Sequence, residues 1–552
     1  KGWAKTFRTV YDAAGHEIKS INAVNAVEDY KVDVAGRRTE ELQKIDVDLV
    51  GWAAVGEFKQ EIRRSFEYDR LGQQTATIAW YSDWEFKAPP KAAKELVEYN
   101  RFGEVINKRA GGSLTGTYNY DQIGRLESYA ETQQGTVSIS YDLTGKVSRS
   151  AQIGSWTDAN DDRITYTRND KLGRAIEQHL PAFSANAHSD TLNNIVLTKV
   201  TPVVKQAFDR WGNVVSRTDA RGYTTLYNYD HNNRIYAETT APTDIMRLNG
   251  TVYRANIMQI RQYDAVGNQI AEQDWVWPHA EATDFTLLRT RHHVYNQVGD
   301  LNRDVDALGY TRSYWTDAYG NRVATKDAVG IVTMDGFDAM DRHTVHGIMR
   351  NGTRSTLLTN RYDQAGRLIA EIAGWTEVEE TLVSTTNTST WGTSSTGVKG
   401  NTRYTLRDER GNILRTRNES GIQVRYAYDE YGRKTSEWNS GDNSQSWSYS
   451  AGDWSKMISY KNLGGQVFNY TYNAFAQVLS ETFSGTDKTY DYYENGLLES
   501  IKVGNITKDA AGAVTAEDSR TTTYFYDESG NRVREVNFAR YLRVGAVSQS
   551  AR

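Results

Sequence analysis

Apolar and polar positions alternate in short runs along the chain, and tyrosines fill many of the apolar positions. Six pairs of tyrosines two residues apart show this alternation most clearly: Tyr118 with Tyr120, Tyr227 with Tyr229, Tyr426 with Tyr428, Tyr470 with Tyr472, Tyr490 with Tyr492, and Tyr524 with Tyr526. A period of two places both members of a pair on one face of a β-strand. The pattern predicts many short strands, with ladders of tyrosine rings across neighbouring strands.

A five-residue motif, Tyr-Asp-x-x-Gly, marks where these strands end. Full copies begin at Tyr11, Tyr68, Tyr120, Tyr141, Tyr263, Tyr362, Tyr428 and Tyr526. Phe208 begins a copy with Phe in place of Tyr, and looser copies begin at Tyr99, Tyr229, Tyr295, Phe337 and Tyr472. The Asp suits the first position of a type I turn because its carboxylate can bond to the backbone N–H two residues on, and the Gly supplies the left-handed residue that follows. We assign a structural turn role to the defining residues of five copies: Tyr120, Asp121, Gly124, Tyr263, Asp264, Gly267, Tyr362, Asp363, Gly366, Tyr428, Asp429, Gly432, Tyr526, Asp527 and Gly530.

The spacing of the motif sets the length of the repeating unit. The motif glycines Gly103, Gly124 and Gly145 are 21 residues apart. Half-steps of 10 and 11 residues separate Asp209, Asp219 and Asp230. One strand and one turn together therefore take about ten and a half residues. The chain is predicted to be all-β, a long array of hairpins that must close on itself or leave an exposed edge.

Some segments depart from this spacing. Four stretches lack the motif and are interpreted as long loops or inserted hairpins: 179–207, 241–262, 273–292 and 374–402. The N-terminal part, 1–66, is predicted to be an irregular or capping region with a first motif at Tyr11, and Glu40, Glu41, Leu42 and Gln43 suggest a helical turn or two. The repeat array then takes up 67–540, and 541–552 is interpreted as a C-terminal tail.

Composition and charge narrow the range of functions. The 552 residues include 65 Lys and Arg and 70 Asp and Glu, so the net charge is -5. This excess of negative charge does not favour binding to nucleic acid, which is itself negatively charged. With no Cys, disulfides, thiolate metal sites and Cys nucleophiles are excluded. No run of 18 apolar residues is present, so no membrane-spanning helix is predicted.

Residues that could carry chemistry are few. The common enzyme motifs are absent, and the turn aspartates have a sufficient backbone role without catalysis. Zinc needs three or four converging ligands. His343 with His346, and the adjacent His292 and His293, offer two each with no third indicated, so they are interpreted as surface histidines. The sequence thus predicts no enzyme, no metal and no organic cofactor.

Exposed aromatic side chains are a further candidate for binding. Six tryptophans could stack on sugars or other ligands, or could instead pack against the sheet: Trp156, Trp211, Trp275, Trp277, Trp375 and Trp391. Several of them fall in the stretches without the motif. Packing against the sheet is the interpretation that we favour.

The repeated Tyr-Asp-x-x-Gly motif resembles that of the YD-repeat, or Rhs-repeat, proteins, and the resemblance covers most of the chain. This family includes bacterial polymorphic toxins, the BC components of insecticidal toxin complexes, and the extracellular part of teneurins. The resemblance implies a long antiparallel β-sheet that spirals into a hollow shell, which in the toxins encloses a toxic C-terminal polypeptide. It also implies export from a bacterium, with roles in virulence or interbacterial competition, and a secretion or translocation apparatus as a further partner.

Many bacterial relatives release their payload with an aspartyl autoprotease whose motif contains an Asp-Pro step. None of the six prolines here follows an Asp, so no autoproteolytic residue is assigned. We expect the chain to be a segment that ends before the autoprotease and payload regions. The function expected from the resemblance is a non-enzymatic shell around a toxic polypeptide. The alternative is a cell-surface adhesin or carbohydrate-binding protein that uses aromatic loops.

Overall fold

The computed structural model describes residues 5–48, 57–82, 90–132, 135–154, 162–186, 197–246, 250–278, 286–350, 353–377, 401–439, 443–450, 456–483, 486–508 and 514–543. These residues form 43 β-strands and no helix. Of these strands, 41 belong to one sheet and the other two form a small sheet of their own. The predicted all-β fold with one long antiparallel sheet is confirmed.

The strands follow one another in chain order. The first fifteen are β1 (Arg8–Tyr11), β2 (Glu17–Ile21), β3 (Val27–Val32), β4 (Arg38–Asp48), β5 (Glu57–Tyr68), β6 (Gln74–Tyr81), β7 (Lys91–Tyr99), β8 (Val105–Ala110), β9 (Ser113–Tyr120), β10 (Leu126–Glu131), β11 (Gly135–Tyr141), β12 (Val147–Ile153), β13 (Arg163–Asn169), β14 (Ala175–His179) and β15 (Phe183–Asn186). The next fourteen are β16 (Leu197–Val200), β17 (Val203–Phe208), β18 (Val214–Thr218), β19 (Thr224–Tyr229), β20 (Ile235–Thr239), β21 (Thr243–Met246), β22 (Val252–Tyr263), β23 (Gln269–Pro278), β24 (Thr286–Tyr295), β25 (Leu301–Val305), β26 (Thr311–Thr316), β27 (Arg322–Lys326), β28 (Val332–Phe337) and β29 (His343–Arg350). The last fourteen are β30 (Thr353–Tyr362), β31 (Leu368–Glu377), β32 (Asn401–Arg407), β33 (Ile413–Arg417), β34 (Gln423–Tyr428), β35 (Lys434–Asn439), β36 (Ser444–Tyr449), β37 (Met457–Lys461), β38 (Val467–Tyr472), β39 (Val478–Phe483), β40 (Thr486–Tyr492), β41 (Leu498–Lys508), β42 (Val514–Tyr526) and β43 (Arg532–Arg543).

Neighbours in sequence pair antiparallel, as in a meander. Strand β1 pairs with β2, β2 with β3, and β3 with β4. Strand β14 pairs with β17, and the chain between them forms the separate hairpin of β15 and β16. Contacts divide the chain into a first unit, Lys1–Leu96 with Gln259–Trp275 and Thr286–Asn443, and a second unit, Val97–Met258 with Val276–Phe285 and Ser444–Arg552.

A β-bulge recurs beside the motif turns. In the hairpin of β11 and β12, Ser140 pairs with Arg149 but Tyr141 pairs with Val147, so that Ser148 is an extra residue. The hydroxyl of Ser148 donates to the carbonyl oxygen of Ser140 at 3.3 Å. One extra residue reverses the alternation of side chains and increases the local twist. In the strand that follows the turn, residues beyond the bulge therefore point to the face opposite to the one that counting by two from the turn would give.

Few side chains are fully buried, and those that are come together in small groups. Phe183 and Ala185, each 1% exposed, pack with Tyr493, and Leu497 and Tyr526 lie against them. The Phe183 ring meets the Tyr493 ring edge-on, with centroids 6.2 Å apart. We call these residues the Phe183 cluster. It fastens the hairpin of β15 and β16 to the main sheet of the second unit.

A stacked ladder of rings covers part of one face of the sheet. It runs through Trp447, Tyr460, Phe468 and Phe483, with successive centroids 5.4, 5.8 and 4.7 Å apart. Each residue belongs to a different strand, from β36 to β39, so ring stacking reinforces strand pairing here. In this ladder the rings come mostly from positions outside the motif.

The N-terminal segment differs from the sequence prediction. Its described residues carry strands β1 to β4 and most of β5, so the predicted irregular region is part of the sheet. The predicted helical turn at 40–43 is wrong, since these residues lie in β4, where Glu41 pairs with Arg64 of β5. Glu41 also pairs with Tyr30 of β3, across a turn in which Asp33 Oδ1 accepts the N–H of Arg37 at 3.0 Å. This Asp-x-x-Gly turn, Asp33–Gly36, was the local signal for a strand here.

The stretches without the motif also contain strands. Segment 179–207 holds β15 and β16, 241–262 holds β21 and most of β22, and 273–292 holds the end of β23 and the start of β24. Of segment 374–402, residues 378–400 lie outside the described residues. In the predicted tail, Tyr541–Arg543 completes β43. The boundaries of the array remain predictions.

Candidate functional site

The motif turn between β9 and β10 shows how each repeat closes. The Oδ1 atom of Asp121 accepts the backbone N–H of Ile123 at 3.0 Å and that of Arg125 at 2.9 Å. Gly124, at φ +83°, has the left-handed conformation that few other residues adopt. The N–H of Arg125, with further hydrogen bonds, holds the pKa of Asp121 below its ordinary value. The Asp121 carboxylate thus accepts the hydrogen bonds of two backbone N–H groups within its own turn.

The other assigned turns have the same geometry. In each, the aspartate Oδ1 accepts the N–H four residues on, at 2.8 Å for Asp264 and Asp527 and 2.9 Å for Asp363 and Asp429. The glycines all have positive φ, namely Gly267, Gly366, Gly432 and Gly530. These carboxylates serve the turn backbone.

In four of the five assigned copies, the motif tyrosine donates a hydrogen bond to the main chain earlier in the sequence. The hydroxyl of Tyr120 donates to the carbonyl oxygen of Val105 at 3.0 Å. Three further motif tyrosines donate to earlier main-chain carbonyls at 2.9 Å, namely Tyr362, Tyr428 and Tyr526. Burial raises the pKa of Tyr428 to about 12, so its proton stays in place as a donor. Tyr263 ends β22 in the corresponding position.

The residue after the motif glycine was missed in the sequence. Arg125 Nε donates to Asp121 Oδ2 at 2.7 Å, while its guanidinium lies 4.4 Å from the ring centroid of Tyr141, the next motif tyrosine. The chain Asp–Arg–Tyr therefore couples one turn to the next through an ion pair and a cation–π contact. A recurring Arg or Asn at this position, as in Arg367, Arg433, Asn268 and Asn531, was the available signal.

One of these ion pairs is buried by a distant strand. Arg367 Nε donates to Asp363 Oδ2 at 2.7 Å, and their side chains are only 16% and 2% exposed. Arg367 Nη2 donates to Gln60 Oε1 at 2.8 Å, although 307 residues separate the two. Gln60 in turn donates to the carbonyl oxygen of Arg407 at 3.0 Å. Arg367 also donates to the carbonyl oxygen of Asp408, whose own carboxyl is kept at a raised pKa by burial.

These groups form what we call the polar seam: Gln60, Asp363, Arg367 and Asp408. All four belong to the first unit. The seam joins strand β5 to two turns that come more than 300 residues later. The Asp363–Arg367 ion pair of the seam is shielded from water. Substituting either partner is therefore expected to lower the stability of the fold more than the same change in an exposed turn.

The histidines singled out in the sequence differ in their surroundings. His343 and His346 come together, and both contact the same oxygen of Asp335. Asp335, eight residues before His343 and across a turn, is the third candidate ligand that sequence reasoning missed. His292 and His293 are neighbours on β24, where adjacent side chains point to opposite faces.

The tryptophans are dispersed. Trp211 lies at a turn and is 64% exposed, and Trp275 is half-buried in β23. Two others lie in strands β23 and β31, namely Trp277 and Trp375. Two fall outside the described residues, namely Trp156 and Trp391. Trp211 is the exposed aromatic that can test the binding interpretation.

Asp142 gives a prediction for the response to acid. Hydrogen bonds from the Thr144 hydroxyl, the Asn169 amide and the turn backbone lower its pKa from 3.8 to about 2. A lowered pKa stabilises the fold above the unfolded value near 3.9, and this contribution disappears as the pH falls toward 2. In urea unfolding at pH 2 to 5, Asp142→Asn should therefore flatten the pH dependence. Asn169→Ala, which removes one donor, should shift the acid transition upward, and an unchanged profile in both variants would contradict the assignment.

Comparison with known proteins places these observations in context. Residues 208–244 match the family model described as RHS Repeat. This range contains the turn at Phe208 and Asp209 and the looser copy at Tyr229. No curated protein sequence gives a significant match.

Two solved structures share the fold over 98% of this chain. One is the crystal structure of TcdB2-TccC3 without its hypervariable C-terminal region, at 12% identity and a TM-score of 0.58. The other is the Photorhabdus luminescens Tc holotoxin pore, at 11% identity and a TM-score of 0.55. The present chain spans 28% of the length of each solved chain. Residues 208–244 thus match an RHS repeat, and the chain has the fold of these two solved structures over 98% of its length.

Proposed function

We propose that this chain is part of a YD-repeat shell that encloses a toxic polypeptide and helps to deliver it. The observation that carries the proposal is the fold shared, over 98% of the chain, with TcdB2-TccC3 and with a Tc holotoxin pore. The chain accounts for 28% of those proteins, so the payload and the remaining wall of the shell are assigned to regions outside it. The partner in this proposal is a polypeptide, with a secretion or translocation apparatus as a second partner.

We propose a structural role and no catalytic one. The recurring carboxylates that could act as acids or bases are occupied by the backbone of their turns, as Asp121 and Asp429 show. The motif tyrosines donate to main-chain carbonyls. The recurrence of these contacts in many copies of the motif supports a structural scaffold.

An extracellular location is part of the same proposal, because the delivery of a toxin requires export from the producing cell. No helix among the described residues is long and apolar enough to span a membrane. Export and release would place the chain outside the producing bacterium. The roles in virulence and interbacterial competition depend on the identity of the payload.

Limited proteolysis of the full-length protein, with mass spectrometry of the fragments, tests enclosure. The guest is the toxic polypeptide that the proposal places outside this chain. We expect it to resist protease as long as the sheet is folded. It should be cut rapidly once denaturant has unfolded the sheet. A synthetic copy of the guest, digested free in solution, gives the unprotected rate. A guest cut at that rate while the strands remain intact would contradict enclosure.

The adhesin alternative is tested with one variant, which is measured both for guest protection and for binding to cells or glycans. Trp211→Ala removes an exposed aromatic side chain from a turn. For a shell, this change leaves guest protection unaltered. If the variant keeps its fold but loses binding to cells or glycans that the parent protein binds, the adhesin interpretation replaces the shell.

A further inference from the structure

Two histidines and an aspartate converge where strands β28 and β29 pair. His343 Nε2 lies 2.8 Å from Asp335 Oδ1, and His346 Nδ1 lies 2.7 Å from the same oxygen. The candidate ligand atoms of the three side chains all lie within 4.8 Å of one another. None of the three belongs to the polar seam or accepts the backbone hydrogen bonds of a turn, so the scaffold leaves their chemistry unexplained.

The recurring bulge brings the two histidines to one face. Residues three apart on a regular strand point to opposite faces. Here Gly336 pairs with Val345 while Phe337 pairs with His343, so Thr344 is the extra residue of a bulge. The Thr344 hydroxyl donates to the carbonyl oxygen of Gly336 at 3.1 Å and holds the bulge in place. The reversal of alternation at Thr344 puts His343 on the face of His346.

Surrounding groups hold the first histidine in position. Its main-chain carbonyl oxygen accepts Asn360 Nδ2 at 3.1 Å and the hydroxyl of Tyr362 at 2.9 Å. The Phe337 ring meets the His343 ring edge-on, with centroids 5.4 Å apart. Asp335 pairs directly with His346 across the ladder. The three side chains are therefore preorganised by strand pairing, and no ion is needed to bring them together.

We propose that Asp335, His343 and His346 bind a divalent transition-metal ion, with Zn²⁺ as the best match. Two imidazole nitrogens and one carboxylate oxygen suit zinc, whereas Mg²⁺ and Ca²⁺ prefer sets composed of oxygen. With bonds of about 2.0 to 2.1 Å, tetrahedral ligands lie about 3.3 Å apart. The Asp335 oxygen thus has to withdraw from each nitrogen by about half an ångström. The site reaches solvent, since the side chains of His343 and His346 are 34% and 37% exposed, and water can supply the fourth ligand.

The bound ion would act as a cross-strand staple. It would join β28 to β29 beside the turn that contains Arg342, whose ion pair with Asp338 already closes the hairpin. This site is independent of enclosure, because it requires only the local hairpin. Its success or failure therefore leaves the shell proposal unaffected.

Calorimetric titration of the untagged, chelator-treated and dialysed protein with Zn²⁺ tests the site. We expect binding of about one ion per chain and no heat from Mg²⁺ or Ca²⁺. His346→Gln should weaken zinc binding by more than about 100-fold, beyond the 10- to 100-fold cost of changing a group that only supports a ligand. Co²⁺ in place of Zn²⁺ should give the visible absorption bands of a four-coordinate ion, and these should disappear in the variant.

Two further variants complete the design. Asp335→Asn keeps the size of the side chain while removing its charge, so it tests the third ligand even if His346→Gln folds poorly. His293→Gln is the matched control, since His293 Nδ1 also lies 2.8 Å from an oxygen of Asp304. The adjacent His292 points to the opposite face of β24, and no third candidate ligand lies near this pair among the described residues. The control should bind zinc as the parent protein does. Absence of zinc binding by the parent, or zinc affinities of Asp335→Asn and His346→Gln equal to that of the parent, would show that the three residues form a hydrogen-bonded group only.

Discussion

Replacing Arg367 by Leu is expected to lower the free energy of unfolding by about 3 to 5 kcal/mol, the usual cost of leaving one partner of a buried ion pair alone. The change leaves the carboxylate of Asp363, 2% exposed, without its cation. It also removes the donors to Gln60 Oε1 and to the carbonyl oxygen of Asp408. Guanidinium unfolding followed by far-ultraviolet circular dichroism measures the loss.

Arg125→Leu is the matched control for this prediction. Arg125 occupies the same position in its turn and makes the same contact with Asp121, but the two side chains are 35% and 23% exposed. Solvent screens such a pair, so only a small fraction of the effect at Arg367 is expected. Equal losses in the two variants would mean that the distant strand β5 contributes nothing and that the polar seam has no special role.

The second large effect is expected in the Phe183 cluster. Phe183→Ala should cost about 3 to 5 kcal/mol, because it removes a ring that is 1% exposed and leaves a cavity against Tyr493. Hydrogen exchange should show the amides of β15 and β16 losing protection first, since Phe183 fastens this hairpin to the main sheet. The rest of the sheet should keep its protection.

Phe102→Ala provides the comparison. Phe102 lies at a turn and is 72% exposed, so its removal should change stability by no more than about 0.5 kcal/mol. A loss at Phe183 as small as the loss at Phe102 would show that the Phe183 cluster does not fasten the hairpin to the main sheet.

Local chemistry accounts for what the sequence could predict. The Asp-x-x-Gly turn needs only residues within five positions of one another, as the contacts of Asp121 with Ile123 and Arg125 show. The ends of many strands, the hairpin array and the all-β class could therefore be deduced. The fold shared with a solved structure over 98% of the chain confirms the all-β interpretation, and residues 208–244 match an RHS repeat.

Distant or face-reversing contacts account for what it could not predict. The partner of Arg367 in β5 is 307 residues away, and no spacing rule connects them. Glu41 pairs with Tyr30 on one side and with Arg64 on the other, and only the first pairing follows from a nearby turn. Asp335 was missed as a third candidate ligand because it lies on the preceding strand, where it pairs with His346, and no sequence spacing indicates that pairing.

The polar seam also sets an order of events during synthesis. Hairpins close within about 1 to 10 μs, but a ribosome adding 5 to 20 residues per second needs roughly 15 to 60 s to travel the 307 residues from Gln60 to Arg367. Through that interval strand β5 is paired with its neighbours while Gln60 remains hydrated. The seam therefore forms well after the hairpins that precede Arg367 in the chain, when water leaves Gln60 and Asp363 together. A break in the seam alone would reverse only this later step and leave the earlier hairpins paired.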